Sequence, residues 1–250
     1  ATMPWVESTY KMVGIDNTIP IISDTESYYS QLIRVKWERW KEAISLEELS
    51  KRIISENGSV LCIVNTKKNA YAVYKFLLKK KSKKMNVFHL SGNMLYEDRK
   101  KVLNKVKELL NKGECVKLIS TQLVEAGVDI DFPVVYRTEA PFEALIQSAG
   151  RCNREGKLDK GKMVIVKLIE KDFVDSEYNE QKSRTLYHLY SGNGEEIDVS
   201  KLTSFGGYKE YSKKILNSSV KQLNYITDAR KELKFKTVGG LYQLIPDSAL

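Results

Sequence analysis

Two kinds of apolar spacing alternate between Val60 and Leu168, and this restricts the chain more than any other feature. Val60-Leu61-Cys62-Ile63-Val64 is an unbroken apolar run, as expected of a strand covered on both faces. Ala70, Val73, Tyr74, Leu77 and Leu78 then follow at helical spacing. Val87 to Leu90 predicts a second strand, and Leu95, Val102, Val106, Leu109 and Leu110 a second helix that stops at Gly113. Further strands are expected at Val116–Ile119, Phe132–Tyr136 and Met163–Leu168, with a short helix over Phe142–Ala149. Strands alternating with helices predict an α/β fold, a mainly parallel sheet with helices on both faces. Such sheets bind ligands beyond the carboxyl ends of their strands.

The flanks read differently. Ser45-Leu46-Glu47-Glu48 has the form of a capping box opening a helix that Asn57-Gly58 closes through positive φ. Residues 1–44 are set apart as an N-terminal extension or inter-lobe segment, with strands expected at Ile19–Ile22 and Leu32–Trp40. Residues 45–171 form the lobe. Residues 172–250, polar with scattered helical spacing, predict a mostly helical extension. Apolar residues are 42% of the chain, enough for a sizeable core. No apolar run approaches the roughly 18–20 residues that span a bilayer, and a cytoplasmic setting is expected. Three widely separated cysteines read as free thiols, and two histidines exclude a histidine-rich metal site. A net charge of +9 favours a polyanionic partner only weakly. The lysine run at 79–84 reads first as a solvated loop. No Gly-x-x-x-x-Gly-Lys-Ser/Thr loop occurs, so the chain does not itself cradle a nucleotide's phosphates in that way.

Two clusters exceed scaffold needs. Ser120-Thr121-Gln122-Leu123-Val124-Glu125-Ala126-Gly127-Val128-Asp129-Ile130-Asp131 starts where a strand ends. A helix cap explains Ser120 or Thr121, but not Glu125, Gly127, Asp129 and Asp131 together. Gln147-Ser148-Ala149-Gly150-Arg151-Cys152-Asn153-Arg154 places an amide and two arginines at helical spacing, suited to converge on one anion. The plainer account is that basic residues complement a helix dipole.

The first cluster resembles motif V of superfamily 2 helicases, and Gln147 to Arg154 resembles their motif VI. The whole run is most similar to the CRISPR-associated helicase–nuclease of type I systems. Val60–Thr66 is similar to that family's motif IV, and His89-Leu90-Ser91-Gly92 with Asp98-Arg99 to its next element. The resemblance covers roughly Leu46 to Leu168. It implies a second RecA-like lobe of a longer, ATP-dependent helicase, with Walker A and Walker B on a first lobe and this piece inactive alone. It implies Arg151 and Arg154 as catalytic arginines, and Gly127, Asp129 and Gln147 as ATP contacts. Asn65, Thr66, Arg99, Thr121 and Gln122 would line the nucleic-acid track, although Asn65 and Thr66 suit a helix cap equally well. ATP and Mg2+ would be held mainly by the first lobe, with no metal site here. The implied partners are that lobe, single-stranded DNA and a crRNA-guided surveillance complex, with no membrane. The alternative is an inactive nucleic-acid or protein-docking module that keeps the fold.

Overall fold

The computed structural model describes residues 33–80, 85–125, 127–169 and 227–241, with single positions 21, 24, 27, 179 and 182. The expected strand at 19–22, the lysines at 81–84 and most of the 172–250 extension therefore lie outside the described residues. The chain divides into two units, Tyr28–Thr203 and Ala1–Ser27 with Ser204–Leu250.

The larger unit is built on six strands: β1 (Val35–Arg39), β2 (Val60–Ile63), β3 (Asn86–Leu90), β4 (Val116–Ser120), β5 (Val134–Thr138) and β6 (Gly161–Val166). They lie in the order β1-β6-β5-β2-β4-β3, and every pairing is parallel. Helices α1 (Leu46–Ser55), α2 (Lys67–Lys80), α3 (Tyr96–Asn111) and α4 (Phe142–Ala149) cover the sheet. The alternation of side chains along each strand divides the core in two. Leu61, Ile63, Leu118, Val135 and Met163 face Val106 and Leu109 of α3. Val60, Cys62, Val64, Ile119 and Val164 face Leu49 and Ile53 of α1 and Ala70, Val73 and Leu77 of α2. A run such as Val60–Ile63 is apolar throughout because both of its faces are covered.

Several boundaries differ from expectation, each for a local reason. Strand β5 begins at Val134 because Pro133 lacks an amide hydrogen, and Phe132 instead bridges Cys152. Strand β6 begins at Gly161, two residues early. A Cβ there would lie 2.6 Å from Cys152 Sγ and 2.7 Å from Asn153 Cβ, so only glycine fits. Leu168, expected in that strand, forms a separate bridge with Ile44. The capping box is half formed: Ser45 Oγ accepts from the Glu48 amide at 3.1 Å, but Glu48 Oε1 accepts from Arg52 Nε at 2.9 Å. Neither Asn57 nor Gly58 takes positive φ. The chain past α1 is instead tied down by the buried Lys117, whose Nζ donates to the carbonyls of Glu56 and Gly58, both at 2.7 Å. Val35–Arg39 lies within the expected Leu32–Trp40 strand and forms one edge of the sheet beside β6. All three cysteines are free, and burial pushes the Cys62 and Cys152 thiols up to about 12.

In the smaller unit, residues 227–231 are helical, and α5 (Phe235–Leu241) follows. No helix among the described residues is long and apolar enough to cross a membrane.

Candidate nucleotide and nucleic-acid site

Strands β2 and β4 are neighbours, so the residues leaving their carboxyl ends meet. The Val64 amide donates to Ser120 O (3.0 Å), the Thr121 amide to Leu90 O (3.2 Å), and Gln122 Nε2 to Asn65 O (3.1 Å). This joins three residues assigned to one track, Asn65, Thr121 and Gln122. Their exposure differs. Asn65 is buried, and its side chain points inward, with Nδ2 donating to Glu139 O at 2.9 Å and Oδ1 accepting from Arg137 Nη1 at 2.5 Å. Thr66 caps α2, its Oγ1 accepting from the Asn69 amide at 3.1 Å. Thr121 is also buried, and the short 3-10 helix after it (Gln122–Val124) has no side-chain cap. Arg99 stands apart on the first turn of α3, its guanidinium carbon 5.9 Å from the Tyr96 ring centre.

A buried ion pair joins this end of the sheet to the second cluster. Arg137 of β5 is fully buried, and its Nε lies 2.9 Å from Glu125 Oε1. Glu125 also accepts from Ser148 Oγ of α4 at 3.3 Å. Burial holds the Glu125 carboxyl above its usual range, outweighing the nearby Arg137 charge. Arg137 was not among the candidates. Its one signal is a charged residue in the otherwise closed strand Val134–Thr138, and its partner lies in a different loop.

The expected convergence of Gln147, Arg151 and Arg154 on one helical face does not form. Helix α4 ends at Ala149, before both arginines, and Gly150 caps it. Asn153 then takes a left-handed turn, φ 46°. Gln147 is exposed on α4. The arginines bind the 124–131 segment instead. Arg151 donates from Nε to Val124 O (2.8 Å) and from Nη2 to Glu125 O (2.6 Å). Burial is the first cause of its lowered pKa, and the Arg154 charge the second. Arg154 pairs with Asp129. The carboxylate of Asp131 accepts the Arg154 amide at 2.7 Å and the Glu155 amide at 3.1 Å, which fixes the turn carrying Arg154. Gly127 has φ 69°, a conformation that favours glycine, and space for a Cβ is open there. Thus Asp129, Arg151 and Arg154 share one stretch of surface with Gly127 in the same segment. Among the described residues, no group of three or more His, Cys, Asp or Glu is arranged to hold a metal ion.

Comparison with known proteins agrees with this architecture. Residues 56–157 match the family described as CRISPR-associated nuclease/helicase Cas3, C-terminal. The CRISPR-associated nuclease/helicase Cas3 of Methanothermobacter thermautotrophicus is 24% identical over 237 residues, which is 84% of this chain and 27% of that protein. The CRISPR-associated helicase Cas3 of Thermoproteus tenax is 36% identical over 124 residues, covering 49% of this chain and 20% of the relative. The crystal structure of T. fusca Cas3 with ADP superposes with a TM-score of 0.59 at 16% identity, over 93% of this chain and 29% of that one. That likeness shows the fold. The chain spans about a quarter of the length of the relatives it matches.

Proposed function

We propose that this chain, similar over residues 56–157 to the Cas3-like C-terminal family of CRISPR-associated helicases, belongs to that family and supplies the second lobe of an ATP-driven translocase on single-stranded DNA. One observation carries the reading. Arg151 and Arg154, from the turn after α4, are both anchored on the 124–131 segment. That segment leaves the carboxyl end of β4, beside Thr121 and Gln122. Arginines able to meet a phosphate and polar groups able to meet a strand thus belong to one rigid piece.

In this reading a first lobe binds ATP, and closure brings Arg151 and Arg154 to the transferring phosphoryl group. A planar, permanently charged guanidinium suits the negative charge that builds there. Arg154 is half-exposed and held by a single exposed carboxylate, Asp129, so it can exchange that partner for phosphate at little cost. Gly127 and Gln147 are exposed and available to the nucleotide. Thr121, Gln122 and Arg99 contact the strand, with Asn65 and Thr66 holding the loops that present them. Mg2+ accompanies ATP in this reading. With no group of three or more His, Cys, Asp or Glu arranged to hold a metal ion among the described residues, it would belong to the other lobe. A crRNA-guided surveillance complex is the proposed larger partner, since a chain of the CRISPR RNA-guided surveillance complex in its pre-nicking state shares the fold at a TM-score of 0.52.

The test uses the full-length protein and measures ATP hydrolysis with and without single-stranded DNA. Stimulation by the strand is expected, and Arg151→Ala or Arg154→Ala should lower turnover roughly a thousandfold. Undiminished hydrolysis in both variants would sink the arginine assignment and favour a docking module.

A further inference from the structure

Between α3 and the 123–129 segment lies a groove of about 280 Å³. Leu103, Leu123 and Val128 give it an apolar floor. Tyr96, 68% exposed, stands at its mouth beside Leu95, 74% exposed. Both side chains are mostly exposed, so packing accounts for little of either. Three cations line the groove, Arg99, Lys100 and Lys107, against one carboxylate, Asp129. Lys107 lies 3.9 Å from that carboxylate. Arg99 is uncommitted: its buried Nε has no hydrogen-bond partner, and its contact is with the face of Tyr96. The groove also adjoins the carboxyl-end cluster, because Leu90, one of its lining residues, accepts from Ser120 Oγ and from the Thr121 amide.

We propose that this groove takes an unpaired nucleobase of the single strand, stacked on Tyr96, with a neighbouring phosphate on Arg99 and Lys100. This rests on the translocase reading and adds base contacts to the backbone contacts assigned there. The division of chemistry fits a nucleotide. A flat, weakly polar ring suits an aromatic wall over an apolar floor, and the charged phosphate suits the cationic rim. The excess of cations over carboxylate excludes an acidic floor and favours a polyanion over a basic peptide. A paired base has its faces covered by its neighbours, so the site selects single strands. Every base offers a π face, so it does so without reading sequence.

The experiment measures binding of the full-length protein to a fluorescein-labelled oligothymidine by anisotropy, alongside a strand of equal length with abasic positions. The unmutated protein should bind the abasic strand roughly tenfold more weakly. Tyr96→Ala should weaken binding of the oligothymidine by a similar factor and leave binding of the abasic strand unchanged. Tyr96→Phe, which keeps the ring, should match the unmutated protein. If Tyr96→Ala weakens both strands equally, or neither, the stacking platform is overturned. An unmutated protein that does not discriminate between the strands overturns it too. Strand-stimulated ATP hydrolysis by the unmutated protein is scored separately. Discrimination without stimulation would support the platform while refuting the motor.

Discussion

The Arg137–Glu125 and Arg154–Asp129 pairs start from the same loop segment but differ in their surroundings. The first has side chains 0% and 9% exposed, the second 46% and 74%. Arg137 is held by Asn65 and Thr138 as well as by the carboxylate. Arg154's guanidinium has the exposed Asp129 as its charge partner, with Lys107 competing for the same carboxylate. Burial makes a charge pair a fixed part of the scaffold, because separating the ions inside protein costs far more than separating them in water. Exposure makes it exchangeable. The lobe thus keeps a rigid pair beneath a releasable one.

Removing one buried partner should have the largest effect. Arg137→Met leaves Glu125 buried with only the weaker pull of the Arg151 charge and should cost about 3–5 kcal/mol, read as a fall in the urea midpoint. Next is the double variant Arg137→Met with Glu125→Leu. It should be more stable than Arg137→Met alone, because no charge is left stranded. A double variant no better than the single one would mean that the pair is not the source of the loss.

A smaller, pH-dependent effect follows from Glu125. Its folded pKa is raised by burial, so the folded state binds that proton more readily than the unfolded chain. Its contribution is therefore fully present below the ordinary carboxylate value and is lost as pH rises through the raised one. The stability of the unmutated protein relative to Glu125→Gln should fall across that window and then level, in denaturant titrations at stepped pH. The smallest effect on stability is expected at the exposed pair. Asp129→Ala or Arg154→Ala should shift stability by less than about 1 kcal/mol. Under the proposed function, Arg154→Ala nevertheless removes turnover. A large destabilisation there would erase the contrast between the pairs.

Much of this was legible in the sequence, unevenly. Runs such as Val60–Val64 announce buried strands because both faces of the sheet are covered. Strand ends were less legible. The start of β5 depends on Pro133, and that of β6 on the fit of Gly161 against Cys152 and Asn153. Neither fit has a periodicity. The clusters around Asp129 and Arg151 stand out because their residues are polar, close in sequence and unneeded by the scaffold. Arg137 does not stand out, since one arginine in an apolar strand acquires meaning only when Glu125 and Asn65 fold against it. The spacing of Gln147, Arg151 and Arg154 misleads for a related reason: it makes one face only on a helix that runs on past Gly150, where the chain turns.

The edge strand β1 bears on how the lobe is assembled. Arg34, just before it, bonds to Arg154 across 120 positions of chain, and among the described residues β1 pairs only with β6, the last of the six strands. On a ribosome, Val35–Arg39 emerges first and has to wait for its partner until the rest of the sheet has been synthesised. A recombinant lobe begun at Ser45 would never receive that strand. It would leave the apolar edge of β6 open to pair with another molecule, so a soluble version of this lobe should begin upstream of Arg34.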